Sequence, residues 1–452
     1  MRITNLTRHA GIGANCYLLE CGGARVVLDC GMDPKQEGGE ALPIIEALDG
    51  KAIDAMILSH SHLDHVGTMP VLMREHTEMP VFMTPATAML SEALLHNSVN
   101  VMQSKRTELG ITEYPLFGHR ELDRLAEQWI QRRCGRPFDL DEAGRVRATF
   151  HDAGHILGSV GVTIEIEGHR IFYTGDVQFE DQTLIRGADF PDDPVDTLII
   201  ETTRGETPRH DGFTRGEEEM RFARAIAGAL ERGGAVLVPV FAMGKTQEVL
   251  TMLHTFKQEG LIPDAPIRIG GLSTKMTVLF DRLVDETRRR LPGFKILEEM
   301  DIETGRRGRR EAIPCNPGTI YALSSGMMTE HTVSNRFAHG FLGNPRNTLC
   351  FVGYCAPETP GGRLRLSQPG EAIVLDPDEA PVKRRCGMEI FDFSGHAPRR
   401  HLLEFIHRVQ PKKTFLVHGD EGASRWFQEH LANSLPRTET VVPEPGQAYD
   451  LA

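Results

Sequence analysis

One local pattern recurs along the chain, in which a short run of apolar and β-branched residues leads to an acidic residue or a histidine. Runs of this length and composition are typical of buried β-strands. They occupy residues 25–28, 53–58, 171–173, 197–200, 390–393 and 414–417. Polar groups that follow strand ends collect along one edge of a sheet in α/β proteins. We therefore expect the side chains just after these runs to lie close together.

Segments between the runs carry apolar residues at helical spacing and predict helices at residues 121–131, 217–231, 246–259 and 398–409. A second series of strand patterns fills the middle of the chain, at residues 235–241, 266–269, 318–322 and 348–352. This series has few of the histidines and carboxylates that mark the first. The sequence therefore predicts an α/β protein with an insertion at 206–390, the first domain being formed by residues 1–205 and 391–452.

Length, charge and hydropathy limit the classes of protein. The 452 residues agree with two domains, because one hydrophobic core rarely serves so long a chain. The net charge of −13 opposes non-specific attraction to phosphates, so a nucleic-acid substrate would need a local basic groove. No apolar stretch approaches the roughly 20 residues that span a bilayer, and the first residues lack a signal-peptide pattern. We expect a cytoplasmic protein without membrane contact.

The densest chemical signal directly follows a predicted strand and reads Ser59-His60-Ser61-His62-Leu63-Asp64-His65. Imidazoles and a carboxylate at this spacing can converge on two adjacent ions, and such N and O ligands suit zinc, with manganese or iron as alternatives. Three further candidates lie at comparable positions: His155, Asp176 and His418. Each of them alone is more often a structural residue, but the ordered set predicts a metal site.

This ordered set resembles the metallo-β-lactamase superfamily, and more narrowly its β-CASP branch of nucleases. That branch includes the endonuclease subunit of the pre-mRNA cleavage and polyadenylation machinery and ribonuclease J. Its markers here are Glu201 in Glu-Thr-Thr-Arg-Gly, His396 in Phe-Ser-Gly-His-Ala and His418 in Val-His-Gly, and residues 239–248 and 353–364 resemble signatures of the inserted domain. The resemblance implies an αββα metallo-β-lactamase sandwich with an inserted α/β β-CASP domain.

The resemblance also implies a site for two zinc ions, with manganese as the alternative metal. The implied ligands are His60, His62 and His155 for one ion, Asp64, His65 and His418 for the other, and Asp176 as a bridge between them. Asp29 matches the first acidic position of the family. In the family this carboxylate is not a ligand but orients a metal-bound imidazole. We group Asp64, as an implied ligand, and Asp29, as the supporting carboxylate, with the catalytic residues.

We assign His396 as the general acid, because cleavage of a phosphodiester leaves an oxygen that benefits from a proton and histidine supplies one near neutral pH. Glu201 is the expected partner that orients the ring. The alternative is a structural histidine beside Gly395. Two nearby positions depart from the family: Arg204 stands where an aromatic residue is common, and Pro398 stands where the family has an acidic residue.

By the same resemblance, the substrate is RNA or another single-stranded nucleic acid, which lies between the two domains and is cut to leave 5′-phosphate and 3′-hydroxyl ends. Phosphate contacts are predicted for Lys245, Lys275, Arg336 and Arg363. Two alternatives stay open: a metallo-hydrolase of a small ester, lactone or thioester, and a non-catalytic nucleic-acid-binding scaffold. The sequence also leaves open whether the enzyme cuts internally or from an end, and whether the chain forms a homodimer.

Overall fold

The computed structural model describes residues 1–305 and 313–451. The first part of the chain forms most of one β-sheet and the helices that cover it. In chain order its elements are β1 (Arg2–Asn5), β2 (Tyr17–Cys21), β3 (Ala24–Leu28), β4 (Ala55–Ile57), α1 (Leu63–Val66), α2 (Met69–Glu75), β5 (Val81–Met83), α3 (Pro85–Leu109), α4 (His119–Ala126) and β6 (Trp129–Gln131). Two short 3₁₀ segments, Gly38–Ala41 and Ile45–Leu48, lie between β3 and β4.

A second sheet begins after β6 and is completed only at the end of the chain. Its first strands are β7 (Phe138–Asp139), β8 (Arg147–Asp152), β9 (Val160–Ile166), β10 (His169–Tyr173) and β11 (Thr197–Glu201).

The middle of the chain alternates helices and strands. Its elements are α5 (Arg215–Glu231), β12 (Val236–Pro239), α6 (Lys245–Gln258), β13 (Ile267–Ile269), α7 (Leu272–Arg282), α8 (Ile296–Glu299), β14 (Ile302–Thr304), β15 (Ile320–Leu323), α9 (Val333–Phe341), β16 (Thr348–Phe351), α10 (Pro360–Leu366), β17 (Ala372–Ile373), β18 (Val382–Lys383) and β19 (Gly387–Ile390). The chain then returns to the first two sheets through α11 (Arg399–Val409), β20 (Lys413–Val417), α12 (Glu421–Ser434), β21 (Glu439–Val441) and β22 (Ala448–Asp450).

Among the described residues, two seven-stranded sheets pack face to face, in the orders β22-β1-β2-β3-β4-β5-β6 and β21-β20-β11-β10-β9-β8-β7. Apolar side chains from both inner faces, such as Val26 and Ile164, form one shared core. Helices α2, α3 and α4 cover the outer face of the first sheet, and α11 and α12 cover that of the second. This four-layer α/β arrangement confirms the fold class that the sequence predicts.

Parallel pairing brings several strand ends to the same edge. In the second sheet β10, β11 and β20 are parallel neighbours, with Tyr173 opposite Ile199 and Glu201 opposite Val417. In the first sheet β3 is parallel to β4, with Leu28 opposite Ile57. Residues that follow the carboxyl ends of such strands meet along one edge, which is where α/β proteins form their sites.

The inserted elements form a third sheet, whose described strands run in the order β14-β13-β15-β12-β16-β19 with every neighbouring pair parallel. The loop that follows β12 contacts the histidine-rich loop of the first sheet, because the Ser61 hydroxyl donates to Met243 Sδ at 3.3 Å. The insertion therefore lies against the edge that carries the candidate ligands. The domain boundaries at 205/206 and 390/391 stay predictions.

Some elements differ from the prediction. The helix expected at 121–131 ends at Ala126, and Trp129–Gln131 forms β6, which pairs with β5; aromatic and β-branched residues fit a pleated strand better than a helix. The strand expected at 390–393 is wrong except at Ile390, because the strand formed here is Gly387–Ile390 and the Asp392 N–H that follows it donates to the Glu218 side chain. The 25-residue helix α3 has no counterpart among the predicted helices.

Across the described chain, no helix is long and apolar enough to cross a membrane.

Candidate metal centre

Three histidines from two separate loops turn ring nitrogens toward one another. His62 Nδ1 lies 3.2 Å from His60 Nε2 and 3.0 Å from His155 Nε2. Asp176 Oδ2 completes the group, at 3.5 Å from His60 Nε2 and 3.6 Å from His155 Nε2. One candidate ligand atom from each of the four side chains lies within 4.8 Å of the others. These side chains could therefore share one metal ion.

A second group lies beside the first and consists of Asp64, His65 and His418, again with ligand atoms within 4.8 Å. His418 Nε2 lies 3.3 Å from Asp64 Oδ2. The other oxygen of Asp176, Oδ1, faces this group, at 3.4 Å from His65 Nε2 and 3.1 Å from His418 Nδ1. The two oxygens of one carboxylate thus face two ligand groups, which is the arrangement required of a bridging ligand.

The chemistry of these side chains fits bound cations. Asp176 Oδ1 is buried, and among the described residues no donor meets it with hydrogen-bond geometry. Burial lowers the pKa of His60 and His155 well below the usual value and that of His62 to about 4, which favours the neutral imidazole that a metal requires. In the second group Asp176 outweighs burial and raises the pKa of His65 and His418. A cluster of imidazole nitrogens and carboxylate oxygens suits zinc.

Asp29 lies behind the second group. Its Oδ2 lies 2.8 Å from His65 Nδ1 and accepts from the Tyr173 hydroxyl at 2.5 Å, while its Oδ1 accepts from the Ser59 N–H at 2.7 Å. A hydrogen bond to Nδ1 fixes the ring and directs Nε2, with its lone pair, at a metal. The carboxylate can therefore orient His65 without itself belonging to either ligand group.

His396 and Glu201 form a pair at the edge of the cluster. His396 Nδ1 lies 3.1 Å from each Glu201 carboxylate oxygen and 4.0 Å from Asp176 Oδ2. Burial disfavours the charged ring, but Glu201 and Asp176 outweigh burial and raise the pKa of His396. The ring can therefore hold a proton near neutral pH. His396 also lies within 4.8 Å of Asp176 and His418 ligand atoms, so its distance to the cluster does not by itself distinguish a proton donor from a ligand.

A glutamine that the sequence analysis missed joins the two halves of this site. The buried Gln178 side chain donates to the carbonyl oxygens of Ser394 and His396, each at 3.1 Å. The sequence feature that could have identified Gln178 is its position only two residues after the candidate ligand Asp176. Gln178 therefore ties the loop that carries Asp176 to the loop that carries His396.

The predicted phosphate contacts have different surroundings. Lys245 is partly buried and its ammonium group donates to the Phe393 carbonyl. The Arg363 guanidinium donates to two backbone carbonyls, at 2.6 and 3.0 Å. Lys275 and Arg336 are exposed, on α7 and α9, and these helices follow the neighbouring parallel strands β13 and β15. Lys275 and Arg336 are thus the more accessible pair, while Lys245 and Arg363 are engaged within the protein.

Three family models match the chain. They are described as the metallo-beta-lactamase superfamily at residues 10–219, the Beta-Casp domain at 246–364 and the Zn-dependent metallo-hydrolase RNA specificity domain at 381–443. A crystal structure of a protein of unknown function from Enterococcus faecalis superposes with a TM-score of 0.61 over 99% of both chains at 14% identity, which supports the fold.

Curated relatives extend over most of the chain. Ribonuclease TTHA0252 of Thermus thermophilus is 31% identical, covering 93% of this chain and 94% of the relative. Transcription termination factor FttA of Methanosarcina mazei is 30% identical over 94% of this chain and 67% of its own length. Cleavage and polyadenylation specificity factor 73 of Drosophila melanogaster is 29% identical, with 91% and 58% covered. The chain is therefore a metal-dependent hydrolase that belongs to the β-CASP branch of the metallo-β-lactamase superfamily.

Proposed function

We propose that the chain is a ribonuclease that uses two zinc ions to hydrolyse phosphodiester bonds of RNA, leaving 5′-phosphate and 3′-hydroxyl ends. The observation that carries this proposal is Asp176, whose two oxygens face two ligand groups beside a histidine held by a carboxylate. The match to an RNA specificity domain and the ribonuclease among the relatives support RNA as the substrate. Manganese is the alternative metal for the same side chains.

We assign the ligands by the two groups: His60, His62 and His155 for one ion, Asp64, His65 and His418 for the other, and Asp176 for both. Bound divalent ions supply activated water near neutral pH and offset the charge of a phosphodiester. Asp29 keeps the Nε2 atom of His65 directed at its ion through the 2.8 Å contact with Nδ1. The His65 ring is therefore oriented before substrate arrives.

His396 is proposed as the general acid. Both oxygens of Glu201 lie at Nδ1, so the other ring nitrogen, Nε2, is the atom that can give its proton to the leaving 3′-oxygen of RNA. Positioned acids of this kind contribute about 10²–10⁴-fold to rate. Glu201 stabilises the charged ring before transfer, and the Val177 N–H at 2.8 Å helps to hold the carboxylate in place.

RNA is proposed to lie between the insertion and the ligand cluster. The loop after β12 contacts the metal-binding loop at Ser61, so the carboxyl edge of the third sheet borders the site. Lys275 and Arg336 follow strands that end at this edge, and fixed cations there would place the phosphate backbone. Lys245 and Arg363 are proposed to contribute where a phosphate displaces one of their carbonyl partners.

The decisive experiment incubates the zinc-loaded chain with 5′-labelled and 3′-labelled single-stranded RNA and with DNA of the same sequence. We expect RNA fragments with 5′-phosphate and 3′-hydroxyl ends, and the pattern of lengths distinguishes internal from terminal cutting. Asp176→Asn is the negative control, because it replaces one oxygen of the carboxylate whose two oxygens face the two groups. Intact RNA at two zinc ions per chain, or faster hydrolysis of a lactone than of RNA, would refute the proposal.

A further inference from the structure

Arg204 and Asp392 form a partly buried ion pair between the two chain segments that carry Glu201 and His396. Arg204 Nη1 donates to Asp392 Oδ1 at 3.0 Å, and Nη2 donates to Oδ2 at 2.7 Å. The Arg204 side chain is 11% exposed and that of Asp392 is 28% exposed. Two parallel charge-assisted hydrogen bonds fix the relative orientation of both groups as well as their distance.

Both members of this ion pair lie close in the chain to the proposed general acid and its partner. Arg204 follows Glu201 by three residues, and Asp392 precedes His396 by four. The segments 201–204 and 392–396 are therefore joined at one end by the contact between His396 and Glu201 and at the other end by the ion pair. Arg204 also stands where the family commonly has an aromatic residue, which cannot form such a pair.

The pair is reinforced from the side of the carboxylate. Arg209 Nε donates to Asp392 Oδ2 at 2.9 Å, and the Asp392 N–H donates to Glu218 Oε1 at 2.7 Å. Burial opposes ionisation of this carboxyl group, but Arg204 and Arg209 lower its pKa to about 2. Asp392 is therefore a fixed anion, and the start of the loop that carries His396 is anchored to it.

A general acid works only when its proton lies close to the leaving atom, and a displacement of about 1 Å can reduce the rate about 10²-fold. We propose that Arg204 and Asp392 are a positioning pair, which holds the loop of residues 392–398 in place. The His396 ring then keeps its hydrogen bond to Glu201, and its other nitrogen points at the leaving oxygen. This inference rests on the proposed nuclease activity. Neither residue touches the substrate in this assignment.

The test compares Arg204→Met, Asp392→Asn and the double variant, each loaded with zinc. On RNA we expect kcat to fall about 10- to 100-fold in each, with KM and metal content unchanged. The double variant should lose no more than the worse single variant, because the pair acts as one unit. On an aryl phosphodiester, whose leaving group needs no proton, the loss should fall below about 3-fold.

Arg384→Met is the matched control for a merely structural effect. Arg384 is also buried and donates to Ser367 Oγ at 2.8 Å and to Cys386 O at 3.1 Å. Its loss should lower the unfolding temperature and leave kcat on RNA at the parental value. Equal losses on RNA and on the aryl ester in the pair variants, or parental kcat in them, would overturn the positioning role. If Arg204→Met does not fold, Arg204→Lys replaces it, because lysine keeps the charge but not the two-pronged contact.

A readout that does not need turnover separates this inference from the proposed function. In ¹⁵N-histidine-labelled, metal-loaded protein, the Nδ1–H signal of His396 should show a strong hydrogen bond to Glu201 and should weaken in Arg204→Met. Absence of RNA cleavage by the parental chain with a normal signal would refute the nuclease proposal alone. An unchanged signal in Arg204→Met would refute the positioning pair, whatever the activity.

Discussion

Two residues of the site have left-handed backbone angles, which are uncommon for residues other than glycine. Asp29 has φ of 55° and His418 has φ of 47°, and each directly follows a strand. Left-handed backbone at such residues costs on the order of 1–3 kcal/mol and persists only where surrounding contacts impose it. For His418 the Thr203 hydroxyl supplies such a contact, at 3.0 Å from both Nδ1 and the carbonyl oxygen. We infer that this backbone conformation turns the two side chains away from the line of the preceding strands and into the site.

At this scale the sequence identifies the members of the cluster but not the contacts that hold them. His60 and His62 are recognisable because they stand in one short string after a strand pattern. The partners of Gln178 and Arg204 cannot be found in the same way, since they lie 216 and 188 residues further along the chain. No local pattern encodes a pairing at such a separation.

His396→Ala separates a proton donor from a third metal ligand. We expect the variant to retain its metal content and its RNA affinity, because the two ligand groups remain complete, while kcat on RNA falls about 10²–10⁴-fold. Elemental analysis, a binding titration and single-turnover kinetics measure the three quantities. On an aryl phosphodiester the loss should shrink.

His169→Ala is the control for that variant, because this histidine lies at the opposite end of β10, 3.0 Å from Thr197 Oγ1. It should cleave RNA at the parental rate. Loss of metal from His396→Ala would show that the ring is a ligand, and parental cleavage by it would show that the histidine is structural.

At the scale of elements, the sequence predicts strand positions best where the strands are parallel and buried on both faces. The run at 197–200 corresponds to Thr197–Glu201 and that at 414–417 to Lys413–Val417. Runs of this kind are nearly all apolar, so their ends stand out against polar residues. The helix predicted at 121–131 extended too far, because the short edge strand β6 has no turn residue that separates it clearly from α4.

Helix α6 provides a contact between the inserted domain and the first domain. Its Glu248 is buried and accepts from the backbone N–H groups of Thr183 at 2.6 Å and Leu184 at 2.9 Å, and it also pairs with Arg215. Glu248→Ala should lower the free energy of unfolding by about 3–5 kcal/mol, because it leaves two amide groups without their acceptor and removes one of the two carboxylates that pair with Arg215. Denaturant titration followed by fluorescence measures the change.

Glu259→Ala is the matched control, since this glutamate caps the end of the same helix and is exposed. It should change the free energy of unfolding by less than about 0.5 kcal/mol. If Glu248→Ala unfolds at the same denaturant concentration as the parental chain, the contact contributes little to holding the domains together. Glu248→Gln should lie between the two, because an amide oxygen can still accept one hydrogen bond.

At the scale of the whole molecule, the insertion was predictable because the histidine and carboxylate pattern stops near residue 205 and returns at His396. How the insertion faces the first domain was not, since contacts such as that between Ser61 and Met243 join segments that share no sequence pattern. The net charge of −13 likewise gives the average surface and not the local groove. Binding of a polyanion by such a chain depends on where a few cations lie.

The salt dependence of RNA binding tests this arrangement. We predict that Lys275→Ala combined with Arg336→Ala weakens binding of single-stranded RNA and reduces the slope of log K against log salt by about 1.4, because each lost phosphate contact contributes about 0.7. The matched control is Lys412→Ala combined with Arg170→Ala, since these cations lie at the opposite ends of the strands that carry the site and pair with Asp196 and Glu165. Fluorescence anisotropy at several salt concentrations gives both slopes. Equal slopes for the two double variants would show that α7 and α9 do not line the RNA path, even if the chain proves to be a ribonuclease.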